Sequence, residues 1–263
     1  MMTSFPLRAY FICCDARTGS NLLAATLRET DIAGKPFEFF NEGEIDKPWL
    51  RDILQAPRDI PFTGFRDWRD YIVRAGVAHT GVFGACVHWF QLDNAIATFA
   101  MTSRRDPVRT LRAFFPELRL IWLRRDNVVA QAISHHVAIA TGVWNIERSQ
   151  SEPASPGDRD APYDFAAIDG QVNSAIVAAE GWRTVLAGAE DLTLALSYED
   201  LAADLAGSTR KVLRHLGLDA GDMAMPPAPM RKQAGPWSLE LERRYREERR
   251  ARGLAPIGET RIH

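Results

Sequence analysis

Short runs of unbroken apolar residues alternate along this chain with longer stretches in which apolar positions recur every three or four residues. Ala9–Cys14, Gly81–Trp89, Leu118–Leu123 and Leu192–Leu196 are short and almost uniformly apolar, which predicts strands covered on both faces. Between them the spacing turns helical. Helices are expected from Leu22, at Asp93–Met101, at Val108–Phe115 and at Tyr163–Leu186, and across Tyr198–Leu216, where Gly217 supplies the stop. Another begins behind Asp126 or Asn127 and carries Val129, Ile133, Val137 and Ala140 on one face. Residues 42–80 read as polar-rich and helical, and a charged helical segment at 236–252 closes the pattern. Strands alternating with helices predict an α/β protein with a mostly parallel sheet flanked by helices.

The 263 residues fit a single domain spanning 1–263, and Ser, Pro, Asp and Gly dominate 149–162, which predicts a mobile loop or lid there. With 32 basic and 34 acidic residues the net charge is −2, so nothing pulls the whole chain toward nucleic acid and any anion must be held locally. Cys13, Cys14 and Cys86 are odd in number, with two adjacent on one strand; this argues against a disulfide framework and for a reducing compartment. Their spacing suggests no zinc site. No apolar run reaches membrane-spanning length, and a cytoplasmic protein is expected, one that meets any lipid-linked substrate at a membrane surface.

Chemistry concentrates where the first strand ends. Asp15-Ala16-Arg17-Thr18-Gly19-Ser20-Asn21 is a small-residue turn leading into a helix, where unpaired N–H groups and the helix dipole suit a phosphate or sulfate and Arg17 adds a charged donor. It is not a Walker A loop: aligning the second glycine on Gly19 puts Cys14 at the first glycine and Ser20 at the lysine. The next clear strand also ends in Arg124-Arg125 instead of a magnesium-binding carboxylate. Arg125, Ser134 on the following helix, and Arg231-Lys232 near the C-terminus are further anion-binding candidates at the carboxyl ends of the strands. Each has a structural alternative: a tight turn at Arg17–Ser20, surface ion pairs at Arg125, a hydroxyl bonded to its own helix at Ser134, and a solvated basic pair at Arg231-Lys232.

Taken together, these segments resemble bacterial sulfotransferases of the trehalose 2-sulfotransferase type. Arg17-Thr18-Gly19-Ser20 is similar to the family's 5′-phosphosulfate loop, Glu38-Phe39-Phe40 to its Glu-Phe-Phe motif, and Arg125 through Ser134 to its 3′-phosphate segment. Thr141-Gly142-Val143-Trp144, Glu180-Gly181-Trp182 and Arg231-Lys232-Gln233-Ala234 extend the likeness over nearly the whole chain. The resemblance implies a P-loop-like sulfotransferase fold and 3′-phosphoadenosine 5′-phosphosulfate as donor. It implies a carbohydrate or glycolipid acceptor, no required metal, and a homodimer. By it, Arg17, Thr18, Gly19, Ser20 and Asn21 hold the 5′-phosphosulfate, Arg17 serves in catalysis by stabilising charge on the leaving phosphate oxygen, Arg125 and Ser134 grip the 3′-phosphate with Arg231 or Lys232, and Glu38 is the general base. Phe37, Phe39 and Phe40 around Glu38 predict a desolvated carboxylate of raised proton affinity.

The chain departs from the family pattern at Cys86, where a lysine is common, at Gly235, where an aspartate is common, and at His88, where trehalose-sulfating members carry methionine. His88 is therefore a competing base or a packed core histidine. Two other readings stay open: a degenerate P-loop nucleotide kinase, which the missing lysine disfavours, and a noncatalytic nucleotide-binding protein of the same fold.

Overall fold

The computed structural model of the protein describes residues 8–41, 65–77, 79–99, 106–144, 161–230 and 235–258. The basic pair Arg231-Lys232, residues 42–64 and all but the last two residues of the 149–162 loop lie outside that set. Strands β1 (Arg8–Cys14), β2 (Val82–His88), β3 (Glu117–Arg124) and β4 (Thr193–Ser197) form a parallel sheet in the order β2-β1-β3-β4. This is the α/β architecture expected from the apolar runs. The chain leaves β1 for β2 on one side and later returns to pair β3 on the other, so the strand order reverses at the carboxyl end of β1. In an open α/β sheet such a reversal opens a ligand crevice.

Alternation along β1 sorts its side chains to two cores. Ala9, Phe11 and Cys13 face an aromatic cluster with Phe39, Phe40, Phe83, Phe99, Phe115 and Trp182, while Tyr10, Ile12 and Cys14 face an aliphatic one with Leu23, Leu27, Leu196 and Leu213. The first core is covered by α2 (Phe65–Val77), α3 (Leu92–Phe99), α4 (Pro107–Phe114) and α6 (Phe165–Leu186). The second is covered by α1 (Ser20–Glu29), α7 (Tyr198–Ala203) and α8 (Leu205–His215). A third cluster joins α5 (Val128–Thr141) to α6 and to α9 (Pro236–Ala251) through Val129, Ile133, Ile168, Val172, Leu241 and Tyr245.

The stretch 198–216, expected as one helix, is two. Asp204 leaves the helical region at φ −141°, ψ 83°, and its carboxylate accepts from the Gly207 amide, so it ends α7 and caps α8. An Asp that can cap competes with helix continuation, and here the cap wins. Asn127 caps α5 in the same way, through the Ala130 amide, as its position after β3 predicts.

Register brings the strand ends level: Cys14 lies opposite His88, and Arg124 opposite Ser197. One rim of the sheet therefore carries Asp15–Gly19, His88–Gln91, Arg125–Asn127 and Tyr198-Glu199. Within the sheet, Gly84 lies opposite Tyr10, whose buried ring fills the space a Cβ would need and whose hydroxyl donates to the Ala33 carbonyl at 2.9 Å. A Cβ at Gly84 would lie 2.5 Å from that ring. Gly84→Ala is expected to lose about 1–3 kcal/mol of stability, read by urea denaturation, because the ring has no free rotamer to retreat to.

Candidate active site

The loop after β1 is held from behind by its carbonyls. Trp182 Nε1 of α6 donates to Cys14 O at 2.7 Å, Gln131 Nε2 of α5 to Ala16 O at 2.9 Å, and the Arg125 guanidinium to Arg17 O at 3.3 Å. Thr18 satisfies Asp15 O with its hydroxyl at 2.8 Å. With the acceptors of residues 14–17 engaged on the protein side, the donors are left over. Among the described residues the N–H groups of Gly19, Ser20 and Leu22 have no protein partner, and α1 has no side-chain cap. An uncapped helix start behind such a loop is an anion cradle.

Gly19 is required twice over. Its φ of +88° favours glycine, and a Cβ there would lie 2.8 Å from Tyr198 of α7. Tyr198 also lies beneath Arg125, whose guanidinium carbon is 4.4 Å from the ring centroid. Thus the first residue after β4 packs both the loop and the basic residue after β3. Arg17 also has a positive φ, 65°, rare for a residue with a Cβ. Contacts fix it there: Nε donates to Ser134 Oγ at 2.9 Å and a second guanidinium N–H donates to Trp144 O.

The structure therefore gathers Arg17, Arg125 and Ser134 into one cluster spanning the ends of β1 and β3. The Arg17 side chain lies on the Ser134 side of the loop, while Gly19 and Ser20 line the helix start. Thr18 and Ser20 are buried, and the Thr18 hydroxyl turns back into the loop, so what Thr18 can offer a ligand is its place in the turn. Asn21 lies in the first turn of α1. Burial pulls the Arg17 guanidinium down to about 10, with the neighbouring Arg125 charge pulling the same way. Arg125 is also lowered by burial, offset in part by Tyr198, Glu199 and Glu242. An anion between the two guanidiniums would relieve both costs.

The amides just before α5, of Asp126 and Asn127, donate to the Glu199 carboxylate at 3.0 and 3.3 Å, and the Asn127 side chain caps the Ala130 amide. Of the two helix starts that flank the reversal of strand order, α5 is side-chain capped and α1 is not.

Glu38 is brought to the same rim by its aromatic neighbours. Phe37 makes a parallel bridge with Ala85, and its carbonyl accepts from the Cys86 amide at 2.8 Å. Phe39 and Phe40 are fully buried, Phe39 stacking on Phe83 and Phe40 on Phe11, so the carboxylate between Phe37 and Phe39 has little freedom. Its Oε1 lies 3.2 Å from His88 Nε2, although the contact lacks the alignment of a directed hydrogen bond. The expected rise in proton affinity is reversed. Burial does push the Glu38 carboxyl up, but the His88 charge, with polar contacts to His88 and Gln91, leaves it below its ordinary value. For His88, burial lowers the imidazole, and Glu38, then Asp15, raise it by more.

His88 is legible in the sequence as a competing base or a packed core histidine; the structure places it, nearly buried, beside Glu38. Cys86 lies inside the aliphatic core of the sheet, away from solvent. Tyr198 was missed, although a residue directly after β4 stands at the crevice by topology alone. Gln91 was missed too: its side chain accepts from the His88 amide at 3.1 Å and fixes the end of β2.

Residues 9–248 match the Stf0 sulphotransferase family. This chain belongs to that family. Two trehalose 2-sulfotransferases are similar to it over nearly their whole length. The one from Mycolicibacterium smegmatis is 29% identical over 271 residues, covering 94% of this chain and 97% of its own. The one from Mycobacterium tuberculosis is 29% identical over 273 residues, covering 94% and 98%. A solved sulfotransferase from Alicyclobacillus acidocaldarius aligns with a TM-score of 0.48 at 13% identity, over 95% of this chain and 97% of that one. One from M. tuberculosis H37Rv aligns at 0.44 and 14% identity, over 90% and 76%.

In this member of the family the Glu38–His88 pair also leaves a signature in stability. The lowered carboxylate stabilises the fold above its ordinary value of 4.5 and loses that contribution as pH falls through the folded value. The raised imidazole stabilises below its ordinary 6.5 and loses its share as pH rises through the folded value. The stability gap between the native chain and an E38Q/H88Q double variant is therefore expected to peak between pH 4.5 and 6.5 and to narrow on both sides, followed by denaturation across pH.

Proposed function

We propose that this sulphotransferase moves a sulfuryl group from 3′-phosphoadenosine 5′-phosphosulfate to a hydroxyl of a carbohydrate or glycolipid. The observation that carries this reading is the tied-back loop, with its unpartnered amides at the start of α1 beside the Arg17 and Arg125 guanidiniums. Both relatives are trehalose 2-sulfotransferases by name, which supports a sugar acceptor.

In this scheme the amides of Gly19 and Ser20, with Asn21, hold the 5′-phosphosulfate and stabilise the charge that grows on the leaving phosphate oxygen. Arg125, Ser134 and Arg17 receive the 3′-phosphate; Arg231 and Lys232 are assigned there by resemblance to the family. As the acceptor oxygen bonds to sulfur, the bond from sulfur to the 5′-phosphate oxygen breaks and its electron pair leaves with the phosphate. The acceptor's proton passes to Glu38. A carboxylate already ionised by its neighbour is available to take it at neutral pH.

A triphosphate-dependent kinase would need a lysine at the position of Ser20, so that alternative has no support here. Glu38→Gln is expected to lose about 10²–10⁴-fold in turnover from the sulfated donor to trehalose or a related sugar, with the affinity for adenosine 3′,5′-bisphosphate unchanged. Retained turnover would remove Glu38 as the base.

A further inference from the structure

His88 is not absorbed by the proposed donor site, and its setting gives it a role. It ends β2 opposite Cys14, so its ring stands beside the anion loop. The ring is nearly buried, with Phe90 packed edge-on at 5.7 Å between centroids, while the backbone amide is held by Gln91. The charged and titratable groups that face it are Glu38 from the segment after α1, Asp15 from the loop, and His135 from α5. The Cys14 and Cys86 thiols nearby are pushed far up by burial and stay neutral.

We infer that His88 is a positioning residue for the proposed base: its Nε2, 3.2 Å from Glu38 Oε1, pairs with the carboxylate and holds it at the rim where the acceptor hydroxyl arrives. The inference rests on the reading of Glu38 as base. A carboxylate has two oxygens, and a buried one without a cation takes up a proton at the cost of its function as acceptor. His88 prevents this in two ways. When protonated, it favours the ionised form of Glu38, and its buried ring keeps the pair together. During transfer the acceptor's proton goes to the Glu38 carboxylate, which becomes neutral beside His88. The repulsion from His135 and the attraction of Asp15 act on the ring throughout, so the charge of His88 does not depend on Glu38 alone.

Two measurements test the role. In His88→Gln the acid limb of kcat/KM for the acceptor is expected to move up by about one pH unit or more, since burial remains and the cation is gone. Affinity for adenosine 3′,5′-bisphosphate should stay as in the native protein, which shows that the variant folds. An unmoved limb with native nucleotide affinity overturns the inference while leaving sulfuryl transfer intact. The second measurement needs no turnover and no His88 variant: NMR titration of the His88 imidazole in the native chain and in Glu38→Gln. A value above 6.5 that falls in the variant supports the pairing; the same value in both overturns it. If the native protein transfers no sulfuryl group at all, the proposed activity fails, and the NMR result still decides the pair.

Discussion

The structure turns on the carbonyl oxygens of Cys14, Asp15, Ala16 and Arg17. Each is occupied from the protein side, three of them by long-range donors, Trp182, Gln131 and Arg125, that reach in from α6, α5 and the end of β3. A backbone loop with its acceptors committed presents donors to whatever lies in front. That constraint explains why a loop without the Walker lysine can still offer donors to the proposed anion. It also explains a residue with positive φ at Arg17: the strain is borne because the loop's carbonyls and the Arg17 side chain are both anchored.

The anchors themselves depend on packing remote from the loop. Trp182 reaches Cys14 because α6 lies across the aromatic core, where the Trp182 ring meets Trp89 edge-on with centroids 5.6 Å apart. Gly181 permits that approach, since a Cβ there would lie 2.2 Å from the Trp89 ring. Gln131 is placed by α5, which is held against α6 and α9 by their shared apolar cluster. Tyr198, directly after β4, completes the arrangement by packing under Arg125 and against Gly19. Changes in any of these helices would be felt at the loop before they were felt in the sheet.

The sheet was readable in the sequence because each of its strands is a short, buried apolar run, and the loop was readable because a small-residue turn stands between such a run and a helix. Glu38 was readable as a place and misread as an environment. Three phenylalanines announce desolvation, but the cation that outweighs it comes from the end of β2, some fifty positions away, and periodicity carries no information about that pairing. The family resemblance assigns Arg17 and Ser134 to separate phosphates; the fold shows that their side chains touch. The split at Asp204 was missed because Leu205, Val212 and Leu213 continue an apolar pattern that reads as helix whether or not a cap interrupts it.

The proposed nucleotide site has two anion subsites, one at the start of α1 and one at Arg17, Arg125 and Ser134. Calorimetric titration with adenosine 3′,5′-bisphosphate, adenosine 5′-phosphate and magnesium ATP tests it most directly, on the native chain and on Arg125→Ala. Tight binding that depends on the 3′-phosphate, and that Arg125→Ala weakens for the bisphosphate far more than for the monophosphate, is the expected result. Preference for magnesium ATP, or equal weakening of both adenosine phosphates, would contradict the account.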